Sequence, residues 1–393
     1  MNASTEEGKL LDRLMAELPP LNVRHLRRMT DSTGMLQHAR FGVPDREHGY
    51  CVDDNARALV VACWGRELTG SPTFNPLIGT YLAFLNHAFI NAAGRFRNFM
   101  TYERTWPESA GSEESHGRAI WGLGVASVSA ATCGERALAE RLVHEGTKEV
   151  ERFTSLRAWA FAVLGLDAYL EGHPHERHLE VAMSTIANML HQRFSMVETQ
   201  DWPWCEEYLT YDNAVIPRAL LLSACRLSDD AMKRTALRSL GWLIDLQTGP
   251  DGHLTLIGNN GWMWHGREEE RAQFDQQPLD AATIALACAD AYLCTREIEW
   301  IERMVRAVKW FTGHNDVGEV VYDRASGGGY DGLHSTGVNV NLGAESTLAW
   351  LMTRIRAEML ARAVRSEGRN VADAAVERRE PTTDGNGNHH LSR

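Results

Sequence analysis

Helical segments joined by loops that alternate between short and long constrain this chain more than any other feature. Apolar residues recur with a helical period in about twelve segments. An opening region over 8–30 is broken at Pro19-Pro20. Then come 54–68, 74–93, 114–132, 135–152, 156–171, 176–193, 212–227, 231–247, 279–295, 297–313 and 343–363. Turns after 54–68, 114–132, 156–171, 212–227 and 279–295 are short, whereas the stretches 31–53, 94–113, 194–211, 248–278 and 314–342 are long. Such an alternation builds a ring of helical hairpins with the long loops gathered at one end. Six hairpins make an all-α (α/α)6 barrel, inner helices alternating with outer ones. Strand-like patterns are confined to 95–102 and 318–322. An open solenoid is the alternative, and repeats of roughly 40–70 residues are too uneven for one.

The helices that follow long loops are small and apolar all round, as in Ala119–Ser127, Ala158–Leu166 and Ala281–Ala289, which marks them as buried. Their partners carry one charged face, as in Glu135–Leu142. A weak internal echo relates Asp54-Asn55-Ala56 to Asp212-Asn213-Ala214, the starts of two inner helices. The reading is a single domain over 1–363 with a disordered polar tail over 364–393.

The face holding the long loops and the inner-helix N-termini is concave and favours oxygen-rich ligands. His48, Tyr50, Asp53, Asp54 and Arg57 stand at the first inner helix; Trp106, Glu113, Glu114, His116 and Arg118 at the second; Arg157 and Trp159 at the third. The fourth follows the densest run, 199–213, where Asp201, Glu206 and Glu207 sit among Trp202, Trp204, Tyr208 and Tyr211, ending on Asp212. Trp262, Trp264, His265, Arg267, Asp275, Gln276, Gln277 and Asp280 precede the fifth; Tyr330, Asp331, His334, Asn339, Asn341 and Glu345 the sixth. Aromatic faces stack on sugar rings, and carboxylates bond hydroxyls or move protons at a glycosidic oxygen. The run at 199–213 therefore reads as the wall of a saccharide pocket, or else as a buried loop that uses its tryptophans as core.

Blander roles compete. Asp53 is a natural helix N-cap, which leaves Asp54 to face the axis. Asp212 has the same ambiguity. Glu345 is a functional acid or the partner of an arginine such as Arg57, and Arg57 and Arg118 can bond sugar hydroxyls or merely neutralise acids. His116 and His334 can be plain polar lining. Asp251-Gly252 and Gly327-Gly328-Gly329 are turn chemistry, with no phosphate loop around the glycines.

A net charge of -12 argues against a nucleic-acid partner, and no apolar run reaches the ~18 residues that would cross a bilayer. No signal peptide is seen. Seven cysteines without a CxxC fit buried, reduced thiols in a cytoplasmic protein. Neither a metal spacing nor a cofactor motif stands out, and the lack of a nucleotide-binding βαβ unit argues against a glycosyltransferase.

Several stretches resemble a known group. Gly49–Ala58, Glu207–Ala214, Ile257–Trp262, Phe274–Pro278 and Gly343–Leu348 are similar to helical-barrel domains found alone or fused to bacterial glycosyltransferases, within the six-hairpin glycosidase superfamily. The similarity runs from about Gly34 to Leu351. It implies an (α/α)6 barrel, an oligosaccharide ligand, and a glycosyltransferase or other glycan enzyme as partner. Superfamily members with adjacent aspartates use that pair in cleaving mannosides, which draws attention to Asp53–Asp54 and makes mannosides or glucosides the candidate substrates.

The leading expectation is an inverting glycoside hydrolase, with a carboxyl acid and a carboxylate base. Asp54 pairs with Glu206 or Asp212, with Glu345 as an outside candidate; the acid is whichever carboxyl is more desolvated. Asp53, Arg57, His116, Arg118, Trp202, Trp204, Tyr211, Trp262, Asp275, Gln276, Asp331, His334 and Asn341 are the expected substrate contacts. The alternatives are a sugar epimerase or isomerase using His116, His265 or His334, and a non-catalytic glycan-binding module.

Overall fold

Helices built from alanine and glycine can approach until their backbones touch, and this decides the architecture. The computed structural model describes residues 6–377. Its helices are α1 (Glu6–Glu17), α2 (Arg24–Met29), α3 (Val52–Thr69), α4 (Asn75–Ala88), α5 (Glu113–Ser129), α6 (Cys133–Thr147), α7 (Leu156–Gly172), α8 (Arg177–Val197), α9 (Val215–Leu227), α10 (Asp230–Leu246), α11 (Pro278–Thr295), α12 (Ile298–Phe311) and α13 (Ala344–Glu377). Helices α3, α5, α7, α9, α11 and α13 pack each on the next, and α13 returns to α3, closing an inner ring. Helices α4, α6, α8, α10, α12 and α1 lie outside. This is the (α/α)6 barrel that the loop alternation implies.

At the α5–α7 contact, a Cβ on Gly124 would stand 2.0 Å from the Gly165 carbonyl oxygen, and one on Gly165 would stand 2.3 Å from that of Ile120. Neither glycine can gain a side chain without the helices parting. Outer helices are set by local chemistry: Thr132 and Glu135 form a capping box on α6, and Asp229 caps α10.

Four small sheets elaborate the long loops. Strands β1 (Leu36–Arg40) and β2 (Val43–Cys51) form a hairpin, β3 (Phe89–Ile90) pairs with β4 (Arg95–Phe96), and β5 (Phe99–Met100) extends the hairpin along β2. Strand β6 (Tyr208–Leu209) pairs with β7 (Met263–Trp264), and β8 (Gly332–His334) with β9 (Gly337–Asn339). The strand pattern at 95–102 thus covers β4 and β5. That at 318–322 forms only an isolated bridge from Tyr322 to Gly329, and the β1–β2 hairpin has no counterpart among the expectations. Helix α13 also continues past 364 to Glu377, so the first part of the expected tail is helical; the remainder lies outside the described residues.

Candidate active site

Helix α3 begins two residues earlier than a capping Asp53 would allow. Cys51 is the N-cap, its sulfur accepting from the Asp54 amide, and this frees both aspartates from capping. Asp53 and Asp54, consecutive in the first turn, point in different directions, and each meets a different buried arginine. Asp53 pairs with Arg118 at 2.9 Å, and Asp54 pairs with Arg57 at 3.1 Å while accepting from the Cys51 thiol at 3.0 Å. Arg57 reaches across the α3–α13 seam to Glu345 at 2.8 Å. Arg118 also meets Glu114 at 3.5 Å and Asp212 at 3.4 Å.

Asp53, Asp54, Arg57, Arg118 and Glu345 floor a cavity of about 320 Å³ whose walls include Gln37, His38, Phe99, Tyr211 and Asp331. A second depression of about 440 Å³ shares Asp53, Arg118 and Tyr211 with it, and a third of about 890 Å³ shares Tyr211 and holds Arg157 and Glu206. Together they make one groove across the long-loop face. The Tyr211 hydroxyl donates to Glu114 at 2.6 Å, and Trp262 stands edge-on to its ring at 5.8 Å. Tyr211 is thereby fixed as a flat wall between the depressions.

Burial sets the protonation states. Desolvation raises the Asp54 carboxyl to about 7 against the pull of Arg57, so it exchanges its proton near neutrality. Burial likewise raises Asp331 to about 6, opposed by its bond from the Gly343 amide. Asp280 is pushed far up by burial and by Asp212, whose amide it accepts at 2.6 Å. Glu345 is the most open of the cavity acids, its side chain 41% exposed.

The sequence-expected residues divide. Asp53, Asp54, Arg57, Arg118, Tyr211, Asp331 and Glu345 come together at the cavity. Asp212 lies directly beneath it but is wholly buried; with φ 53° it belongs to the turn before α9, so its resemblance to the start of α3 does not give it the place of Asp54. Glu206 sits in the large depression, held by Arg157 at 3.0 Å. His334 and Asp275 hydrogen-bond each other at the half-exposed rim.

Four expectations need correction. Trp202 and Trp204 have no free face: they pack against Trp242, His265 and Phe194. The run at 199–213 uses its tryptophans as core and offers Glu206, Glu207, Tyr208, Thr210 and Tyr211 to the groove. His116 is buried between Phe96 and Phe153, with Nε2 2.9 Å from the Gly146 carbonyl oxygen, and burial lowers it to about 3. Gln276 is a buried latch that accepts from the Trp310 indole at 3.1 Å and bonds Asp316. Asn341, partly exposed, accepts from the Phe41 amide and tethers the β1–β2 hairpin, which leaves its expected role open to test. Replacing Trp202 by Phe removes a 2.8 Å bond to the Glu206 carbonyl. It is expected to lower unfolding free energy by about 1–3 kcal/mol. Urea titration checks it.

Glu114, Arg157 and Asp280 stand at inner-helix starts but were not among the favoured site residues, and Cys51 and His38 had no signal at all. Arg157 does the most: besides Glu206 it donates to the Tyr211 carbonyl at 2.8 Å, to Thr210 at 2.8 Å and to Asn213 at 2.9 Å, fixing the whole 206–213 loop.

No protein-family profile matches the chain, and no curated protein matches it in sequence. Solved structures do match in fold. Cellobiose 2-epimerase from Bacillus thermoamylovorans B4167 superposes with a TM-score of 0.70 at 9% identity, covering 90% of this chain and 99% of that one. A D-mannose isomerase gives 0.66 at 12% identity over 92% and 98%. An inactive variant of an α-1,6-mannanase from Salegentibacter sp. HEL1_6, with two neighbouring aspartates changed to alanine and α-1,6-mannotetrose bound, gives 0.60 at 12% identity over 91% and 100%. At these identities the similarity establishes the shared (α/α)6 barrel.

Proposed function

We propose that this chain is a carbohydrate-active enzyme, a glycoside hydrolase that cleaves oligosaccharides with inversion, Asp54 serving as the acid. The observation that carries the reading is the placement of Asp54, buried at the floor of an open groove and bonded to an arginine that also holds Glu345, where desolvation lifts its pKa toward neutrality. Asp54 protonates the departing glycosidic oxygen, and Arg57 stabilises the carboxylate left behind. Glu345, the most accessible acid of the 320 Å³ cavity, takes a proton from the attacking water. Glu206 and Asp212 are weaker choices, since one is bound into a neighbouring depression and the other meets no solvent. Arg118 orients Asp53 to accept from sugar hydroxyls, and Tyr211 and Phe99 supply apolar faces.

Support also comes from the mannanase variant, where loss of two neighbouring aspartates accompanies inactivity. This chain has two adjacent aspartate pairs, and the other, Asp229–Asp230, caps the outer helix α10. Only Asp53–Asp54 lies on a groove. Mannosides are therefore the first substrates to try.

One observation favours epimerisation instead: the His38 ring lines the cavity, and its pKa is lowered by burial and by His48, as a proton-abstracting base requires. A borohydride-reduced manno-oligosaccharide separates the readings. A hydrolase cleaves it, and proton NMR shows the first-formed anomer inverted; an epimerase leaves it untouched. Cleavage with retained configuration removes Glu345 as the base. Binding without turnover of any oligosaccharide overturns the enzymatic reading and leaves a glycan-binding module.

A further inference from the structure

Away from the groove, histidines gather where α6, the α7–α8 turn and α8 meet on the outer wall. The turn reads His173-Pro174-His175-Glu176-Arg177-His178. His144 of α6 places Nδ1 3.0 Å from Nε2 of His178, the rings nearly parallel. The other nitrogen of each ring is occupied: His144 Nε2 lies 3.0 Å from the Tyr169 hydroxyl, and His178 Nδ1 lies 3.2 Å from the Glu176 carboxylate. If Tyr169 and Glu176 both accept, the two facing nitrogens aim lone pairs at one another. A proton can fill that gap, and so can a cation. A metal bound tetrahedrally at about 2.0–2.1 Å to two imidazoles holds their nitrogens about 3.3–3.4 Å apart, a few tenths of an ångström beyond the present spacing. Ligand atoms of His144, Glu176 and His178 all lie within 4.8 Å of one another.

We infer that His144 and His178 form a two-imidazole site for a divalent transition ion, zinc foremost, clamping α6 to the start of α8. Imidazole ligands suit zinc and disfavour magnesium or calcium, which want oxygen ligands. Waters complete the coordination. Tyr169 holds the far nitrogen of His144 and Glu176 that of His178, as outer-shell partners of metal-bound imidazoles do. His173 stacks on Tyr169 at 4.3 Å and meets Glu140 at 3.4 Å, which keeps that tyrosine in place. No short-range spacing announces the site because its ligands come from two helical hairpins.

The test is zinc titration of chelator-treated full-length protein by calorimetry, with cobalt absorption spectra as a second readout. Wild type is expected to bind one Zn²⁺ at this site, with a rise in Tm of a few degrees. H144Q and H178Q are each expected to raise Kd at least tenfold and to erase the cobalt bands, and E176Q to weaken binding less. The side chain of His178 is 61% exposed, so H178Q leaves the packing intact. No binding by wild type, or binding undiminished in H144Q and H178Q, overturns the inference. Saccharide turnover plays no part in the outcome.

Discussion

Asp54→Asn is expected to lower kcat on a cleavable oligosaccharide by about 10²–10⁴-fold with KM nearly unchanged, because an amide cannot protonate the leaving oxygen. The wild-type rate should also fall as pH rises through about 7, where the Asp54 carboxyl loses its proton. Stability gives an independent readout. The folded-state pKa of Asp54 lies above the ordinary aspartate value of 3.8, so folding favours the protonated form. That contribution is complete below about pH 4 and disappears as pH rises through about 7. Wild type should therefore lose stability relative to Asp54→Asn across this window, by up to roughly 4 kcal/mol if the shift is fully expressed. Thermal melts of the two proteins from pH 4 to 8 measure it. A gap that stays constant with pH removes the protonated aspartate, and a variant with full activity removes it as the acid.

Arg118→Met is expected to cost about 3–5 kcal/mol of unfolding free energy, since it strips a buried cation from Asp53, Glu114 and Asp212. Asp212 suffers most. It has no exposed surface, and one of its oxygens already lacks a partner. Two further results follow. The deficit should shrink as pH falls and the stranded acids take up protons. Adding Asp212→Asn should restore part of the loss, showing non-additivity in a double-mutant cycle. Urea denaturation of the four proteins supplies the numbers. A loss under 1 kcal/mol would mean that water already reaches these charges.

The ring of hairpins was legible because two signals agree: helical periodicity and the alternation of loop lengths. Small residues at Gly124 and Gly165 added the distinction between inner and outer helices. The β1–β2 hairpin escaped because much of it is exposed and polar, with no alternation to reveal it. Within the site, position along the chain placed Asp54, Arg57, Arg118 and Glu345 on one face, yet pairing could not be read. Arg118 and Asp212 are 94 residues apart, and Arg157 and Glu206 are 49 apart. The tryptophans misled for a different reason. Composition reports that a segment is aromatic, but whether an indole covers a sugar or a neighbouring indole depends on what packs behind it. Trp242, on α10, decided that question. Asp53 was read as a cap because aspartate usually is one; a cysteine sulfur took the role.

The bond between Arg57 and Glu345 joins the first inner helix to the last. During synthesis, α3 leaves the ribosome long before α13 exists to receive it. Until then Arg57 and Asp54 stand without their final neighbours, and the apolar flank of α3 has no cover. Ring closure is thus a late, long-range event with a large loop entropy behind it. It assembles the last wall of the barrel and the charge cluster of its groove in the same step. A newly made chain can therefore carry most of its helices and still lack a finished groove, so any ligand that needs Arg57 and Glu345 together has nowhere to bind until the ring closes.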